Sequence, residues 1–397
     1  MDQRAGELLG ELESAGLSQN TVVFFWSDHG DGLPRCKRWT YDSGSHVPLI
    51  IRVPPQLRNS ITISGDSATV DDRLVSLLDL APTVLAMAGV PIPGHMHGRS
   101  LMTSTGHAGE EFVFGARDRI DERFDLVRTV RNRNWRYVRN LMPWRAALQP
   151  VAYAEQNATL QELRRQLTAG ELPESAAPWF MTPRPAEELY DLSADPYELN
   201  NLALDVRHRS VLEDLSSACD AWQLRIGDLH LAPEILLTRE ESAGAMRGHI
   251  FSGPNGSQRL ADTLSAAKTA SRLAPADALA ACDQLSSDLC IRWWQVTLIA
   301  RAPDPDTRIE TLRAECRHED VAIRIAAAAG LARTGDVTAA GSVLRKALQD
   351  PSEFVRHAAL IEIDEAGPAL INQLRDVLPA AAVDEYSKRL VAHALEQ

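Results

Sequence analysis

Asp28 and His29 stand side by side at the end of an apolar run, and the polar loop that follows carries Lys37 and His46. Adjacent carboxylate and imidazole groups offer an oxygen and a nitrogen to a ligand. A lysine offers a compact point charge to an oxyanion. The blander alternatives are equally concrete. Asp28 and Gly30 suit a plain polar turn after a strand, and Lys37 with Arg35 and Arg38 forms a basic cluster of the kind that is solvated by default. His46 could contact a substrate or only cap the next strand.

The flanking segments say how these side chains are positioned. Residues 22–26 (VVFFW) are a continuous apolar, β-branched and aromatic run, which predicts a strand covered on both faces of a parallel sheet. A second such run, residues 49–53, predicts another strand. Ala5, Leu8, Leu9 and Leu12 share one side of a preceding helix, with Gly16 placed to stop it. In open α/β sheets ligands sit beyond the carboxyl ends of the strands, which is where Asp28 and His29 stand.

Residues 27–31 (SDHGD), Lys37 three residues before TYDSG, and HVPLIIRVP at 46–54 together resemble the sulfatases, the sulfuric-ester hydrolases of the alkaline-phosphatase superfamily. The resemblance continues through VSLLDLAPTVLAMAGVPIP (75–93), HGRSL (97–101) and EELYDLSADPYELNNLA (187–203), so it covers residues 1 to about 230 in consistent order. The loop wording GLPRCKRWTYDSG is closest to bacterial sulfatases similar to the heparan N-sulfatase branch. The resemblance implies a divalent metal, usually calcium, with Asp28 at one ligand position and His29 at an adjacent one that relatives fill with Asn. It implies that Lys37 contacts the sulfate, and it puts His46 where relatives often carry arginine.

The family's nucleophile is a formylglycine made from a cysteine or serine in a C/S-x-P/A-x-R pattern. None of Cys36, Cys219, Cys282, Cys290 and Cys316 fits that pattern, and no serine does. The single Asp-Asp pair, Asp71-Asp72, opens a helical segment instead of ending an apolar strand. The expectation is therefore the C-terminal portion of a sulfatase, without turnover of its own. The helix should run from about Asp72 to Ala88, with Pro82 kinking it because proline removes a backbone donor.

Residues 115–140 alternate charged and apolar positions, which reads as strands of a small antiparallel sheet with solvated charged faces. A sharper reading puts Arg117 and Asp118 against a sugar. Tyr190, Tyr197 and Asn200 read as a strand, an Asp-Pro turn and a helix start. His95 and His97 read as loop residues, since nothing completes a metal site around them.

The chain has 397 residues, 41 basic against 54 acidic, and a net charge of −13, which argues against nucleic acid as a partner. No run reaches the roughly 18 apolar residues that a membrane span needs. Five widely spaced cysteines give no disulfide framework or zinc pattern, and fit buried thiols or one isolated bridge. The residues name no compartment.

After about residue 235 the composition changes. Arg292, Arg324 and Arg356 recur at a constant spacing, each near the start of an apolar helical run. Such a period marks stacked helical hairpins and resembles HEAT repeats, in which the arginine and a neighbouring acid tie one repeat to the next. Residues 326–331 and 358–363 would face inward.

The expected architecture is α/β: a partial alkaline-phosphatase-like sulfatase domain with a small antiparallel sheet (1–235), a linker (236–260), and an all-α HEAT-like region (261–397). The expected function is hydrolysis of a sulfate ester or sulfamate on a sulfated carbohydrate. The alternatives are a phosphoryl or phosphonate ester hydrolase of the same superfamily, and a non-catalytic binding module. The repeats leave room for a protein partner.

Overall fold

In a computed structural model, the described residues are 1–58, 70–102, 111–242, 244–272, 282, 284–301 and 309–397. They group into two units. One comprises residues 1–115, 130–136 and 190–200, and the other residues 116–129, 137–189 and 201–397.

The first unit opens with α1 (Asp2–Ser14), ended by Gly16 at φ 71° as its sequence predicts. No residue of α1 is buried, and Leu8 and Leu9 are exposed. Strand β1 (Val23–Trp26) leads through α2 (Asp42–Ser45) to β2 (Leu49–Arg52). β1 and β2 pair with each other antiparallel, Val23 opposite Arg52 and Trp26 opposite Leu49, so the parallel sheet expected here is corrected. The loop explains it. Residues 27–48 fold straight back, with the Ser27 N–H on the Pro48 carbonyl at 3.3 Å, and a direct return yields an antiparallel pair, whereas a parallel one needs a crossover. Burial on both faces is corrected too: Phe25, Trp26 and Ile50 are 43%, 47% and 61% exposed.

Helix α3 is Leu80–Met87, preceded by a 3₁₀ turn at Leu77–Asp79, so it starts later than about Asp72. The reason is a capping box, in which the Ser76 N–H donates to Asp79 Oδ2 at 2.9 Å and the Leu78 N–H donates to Ser76 Oγ at 3.3 Å. Pro82 thereby falls in the first turn of α3, where no donor is missed, and it marks no mid-helix kink. The 97–101 segment docks there, Arg99 N–H on Asp79 Oδ1 and Leu101 N–H on Thr83 Oγ1, each at 2.9 Å.

A second sheet has the order β3 (Val113–Arg117), β4 (Val127–Arg131), β5 (Trp135–Asn140), β6 (Glu187–Asp191). The Leu141 N–H reaches the Leu126 carbonyl at 2.9 Å and the Asn132 N–H the Trp135 carbonyl at 3.0 Å, which makes β4–β5 a hairpin. Helices α4 (Ala158–Ala169) and α5 (Ala177–Phe180) fill the connection to β6. Tyr190 lies on β6 as expected. No helix begins at Asn200; the Asp195 carboxylate instead takes the N–H groups of Leu199 and Asn200 at 2.8 Å, satisfying them in a turn.

The charged faces of β3–β5 are not solvated. Arg128 and Arg139 are 1% and 2% exposed. Arg128 donates to both oxygens of Asp228 at 2.7 Å, and Arg139 reaches Gln223 at 2.8 Å and Asp220 at 2.5 Å. The acids and amide come from helix α6 (Arg209–Ile226) and the loop after it. The alternation looked amphipathic because buried guanidinium and solvated guanidinium are the same letter in a sequence.

The rest of the second unit is helical: α7 (Glu234–Ser242), α8 (Gly256–Ser271), α9 (Leu289–Arg301), α10 (Ile309–Glu315), α11 (Val321–Arg333), α12 (Val337–Ala347), α13 (Glu353–Ala366), α14 (Pro368–Leu374), α15 (Leu378–Ala381) and α16 (Glu385–Glu396). α7, a 3₁₀ turn and the start of α8 fall within residues 236–260, and Leu236, Leu237 and Ile250 are buried. The expected inward faces are inward: Ala327, Ala328, Leu331, Ala359 and Ile363 are fully buried, in one core with Phe124, Leu126, Leu141 and Trp294. The three periodic arginines repeat one contact. Arg292 donates to the Ser286 carbonyl, Arg324 to those of His318 and Glu319, and Arg356 to those of Asp350 and Pro351, at 2.7–3.1 Å. Arg292 also pairs with Glu315 at 2.6 Å and Arg356 with Asp384 at 3.2 Å, the inter-helix ties expected of the repeat. No helix of the described residues is long and apolar enough to cross a membrane.

Candidate functional site

Asp28, His29 and Gly30 form the bend at the carboxyl end of β1. The bend packs directly on α2: the Gly30 N–H donates to the Gly44 carbonyl at 2.9 Å, and a Cβ on Gly30 would lie 1.9 Å from the Ser43 carbonyl oxygen. Only glycine permits that approach. The His29 ring closes the bend, with Nδ1 2.7 Å from the Gly30 carbonyl. A neutral ring donating there keeps its lone pair on Nε2, which lies 3.7 Å from Asp28 Oδ2. The Asp28 side chain is 83% exposed, so this oxygen and this nitrogen are open to a ligand.

Lys37 lies in the following turn, and its N–H donates to the Asp31 carbonyl at 2.9 Å. The loop therefore doubles back on the bend that holds Asp28 and His29. His46 caps the C-terminus of α2, its N–H on the Asp42 carbonyl at 2.8 Å and its Nδ1 3.7 Å from Asp42 Oδ2, with the side chain 72% exposed.

What holds this loop is a charged scaffold that the sequence reading missed. Asp42 receives Arg131 through Nε and Nη2 at 2.9 and 3.0 Å, and Arg136 closes on the same carboxylate. Burial alone would push the Asp42 carboxyl up, but the Arg131 hydrogen bonds and the charges of both arginines outweigh it and bring the pKa down to about 2. Arg35 is 8% exposed, not a solvated loop residue. It donates to the carbonyls of Tyr197 and Glu198 at 2.8 and 2.6 Å and lies 3.8 Å over the Tyr41 ring. Glu198 in turn accepts the Asp42 N–H at 2.8 Å, and Arg136 Nε approaches its other oxygen to 2.7 Å as a charge contact without hydrogen-bond alignment. Burial pushes the Glu198 carboxyl up, against the pull of Arg136 and Arg35. No local pattern links Asp42 to Arg131 or Glu198, because the partners are far apart in sequence.

Arg117 and Asp118, read above against a sugar, are held in ion pairs. Arg117 is buried against Asp125, and Asp118 pairs with Arg128 at 2.8 Å and His230 at 3.0 Å. His95 and His97 are exposed loop residues. No disulfide joins any of the five cysteines, which all lie among the described residues, so the isolated bridge is not formed; Cys219, Cys282 and Cys290 are buried. Among the described residues one trio, Glu353, His357 and Asp384, brings ligand atoms within 4.8 Å of one another. There His357 Nε2 is 2.7 Å from Asp384 Oδ1, Arg356 is 3.2 Å from Oδ2, and the Ser387 N–H is capped at 2.8 Å. The carboxylate is occupied in latching α16 to α13, and a resident guanidinium opposes a cation.

Residues 1–90 match the family model described as Sulfatase, and residues 276–364 match that of HEAT repeats. The chain is 36% identical over 254 residues to an ulvan-active sulfatase of Formosa agariphila, covering 64% of this chain and 41% of that protein. It is 32% identical over 249 residues to the N-sulphoglucosamine sulphohydrolase of Homo sapiens, covering 57% of this chain and 46% of that one. The chain thus spans less than half the length of both relatives. Among solved structures it is similar to a 2-O GAG sulfatase (TM-score 0.41, 24% identity, 57% of this chain and 41% of that one). It is also similar to the phosphonate monoester hydrolase of Agrobacterium radiobacter (TM-score 0.37, 20% identity, 55% and 38%). The N-terminal part of this chain is thus similar to the sulfatases, and a segment that matches HEAT repeats follows it.

Proposed function

We propose that this chain supplies the metal- and sulfate-facing loops of a hydrolase that cleaves a sulfate ester or sulfamate on a carbohydrate. The observation that carries the reading is the close packing of the Asp28-His29 bend on the loop that bears Lys37. Relatives named for ulvan and for N-sulphoglucosamine support the substrate class. In this reading Asp28 and His29 hold a divalent cation, with calcium the expected ion, and Lys37 and His46 face the substrate. The donor set fits in part, since a carboxylate oxygen suits a hard cation and the His29 Nε2 lone pair is turned toward it. Such a cation neutralises charge that builds on the sulfate oxygens. Lys37 adds a fixed positive charge for the same oxygens. The domain division at 1–235, 236–260 and 261–397 is part of the proposal.

No residue of this chain matches the formylglycine pattern. We take the nucleophile to come from residues outside it, so the 397-residue polypeptide alone is inactive. The test is hydrolysis of a chromogenic aryl sulfate and of N-sulfated glucosamine. The short chain should show none. A protein uniting it with a formylglycine-bearing segment should show turnover that Lys37→Ala lowers by roughly 10²-fold or more. Lys37-dependent turnover by the short chain would overturn the inactivity, and cleavage of phosphonate esters in preference to sulfates would overturn the substrate class.

A further inference from the structure

Within the second unit a pocket with a cavity volume of about 70 Å³ opens among α9, α11, α13 and the 142–145 and 230–235 segments. Four polar atoms of its lining residues are buried without a hydrogen-bond partner among the described residues: Arg119 Nη1, Trp144 Nε1, Thr297 Oγ1 and Arg333 Nη1. Their side chains are otherwise fixed. Arg119 holds Glu234 through Nε at 2.8 Å, and Arg333 Nη2 is 3.1 Å from Glu362 and 3.5 Å from Glu365. The Trp144 ring lies under the Arg301 guanidinium at 4.8 Å, and Thr297 is 6% exposed.

Three of these orphaned atoms are obligate donors, and the fourth is a hydroxyl that can donate. Leaving such groups buried and unpaired is costly, so the arrangement asks for a ligand rich in acceptors. Charge points the same way. Arg145, Arg301 and Arg333 share two carboxylates, Glu362 and Glu365, which leaves one guanidinium charge in excess. A cation is repelled, and a neutral apolar molecule would leave the donors unmet. Phe124, Trp293 and Phe354 supply an aromatic wall beside them. A molecule with an oxyanion at one end, further oxygens, and a ring face of C–H groups satisfies both walls.

We propose that this pocket binds an acidic sugar, a pyranose carrying a sulfate or a carboxylate, through the orphaned donors of Arg119, Trp144, Thr297 and Arg333. The sugar class rests on the carbohydrate reading above; the anion preference rests on the pocket alone. The chain would then carry a carbohydrate-binding site apart from the Asp28–Lys37 loops, built jointly by the helical repeats and the 119–145 and 230–235 segments.

Calorimetry and tryptophan fluorescence on the full 397-residue protein test it with glucosamine 6-sulfate, glucuronate, glucose, benzoate and inorganic sulfate. One or both acidic sugars should bind at least roughly ten-fold tighter than glucose, benzoate or free sulfate, and the sulfated and carboxylated arms tell which oxyanion is preferred. Thr297→Val keeps the side chain's shape and breaks no ion pair, so it should weaken binding by roughly five- to ten-fold at unchanged melting temperature. Trp144→Phe removes the indole N–H along with part of the ring, and should weaken binding by a similar factor with some loss of melting temperature. Lys37→Ala should leave this binding intact, which separates it from the fate of the hydrolase reading. Binding of benzoate or inorganic sulfate as tight as that of the acidic sugars, no binding at all, or affinities unaltered in both pocket variants would overturn the proposal.

Discussion

Arg131 grips both oxygens of Asp42, Nε to Oδ1 at 2.9 Å and Nη2 to Oδ2 at 3.0 Å, across 89 residues of sequence. This pair fastens the loop bearing Lys37 and His46 to the β4–β5 hairpin, with Arg136 closing on the same carboxylate. Asp42→Asn should therefore cost more than a surface ion pair would. Arg136 is 3% exposed and would keep only the Glu198 carboxylate as counter-ion, so about 2 kcal/mol is expected in urea denaturation. A loss below about 0.5 kcal/mol would mean the scaffold does not carry the loop.

The same carboxylate makes an acid-stability prediction. Its pKa falls from 3.8 to about 2 on folding, so the native state binds the proton more weakly than the unfolded chain. The stabilisation, about 2 kcal/mol, is present above pH ~4 and is lost as pH falls through about 2. Unfolding free energy measured from pH 6 to pH 2 should fall less steeply at the acid end in Asp42→Asn than in the parent.

Gly330 sits where α11 crosses α9, and a Cβ there would meet the Ala300 Cβ at 2.7 Å and its Cα at 2.9 Å. Helix propensity favours Gly330→Ala by about 1 kcal/mol. Overpacking against a backbone atom that cannot swing aside costs about 1–3 kcal/mol. The clash should win, lowering the melting temperature; a rise would show that the helices separate easily.

Asp28 and His29 are two donors where calcium takes about 6–8 oxygens. Calorimetry on the isolated chain should find millimolar calcium affinity at best, lost in Asp28→Asn. Micromolar affinity would mean that residues beyond this pair complete a site.

Burial pushes the Cys219 thiol up to about 11 and the Cys290 thiol up to about 12. At pH 8 both should resist a thiol-reactive disulfide reagent until denaturant is added, since the thiolate is the reactive form. Rapid native-state labelling of either, read by mass spectrometry, would contradict their placement.

The sequence by itself determined the elements whose signal is local. The apolar run before Asp28 makes β1, Gly16 ends α1, and the recurrence of Arg292, Arg324 and Arg356 announces repeats, because strand propensity, left-handed backbone and helical period are all written within a few neighbouring residues. It also placed Asp28, His29 and Lys37 in adjoining turns, because the segment joining them is short. Only the tertiary structure decided what the charges do. Arg128, Arg139 and Arg35 read as solvated and are buried, because their partners Asp228, Asp220 and the Glu198 carbonyl arrive from distant parts of the chain. The direction of β1 against β2 was settled by the way the 27–48 loop folds back through Gly30 onto Gly44. The pocket with its four orphaned polar atoms exists only once α9, α11 and α13 stack, since its donors come from Arg119, Trp144, Thr297 and Arg333, and no local pattern records that they converge.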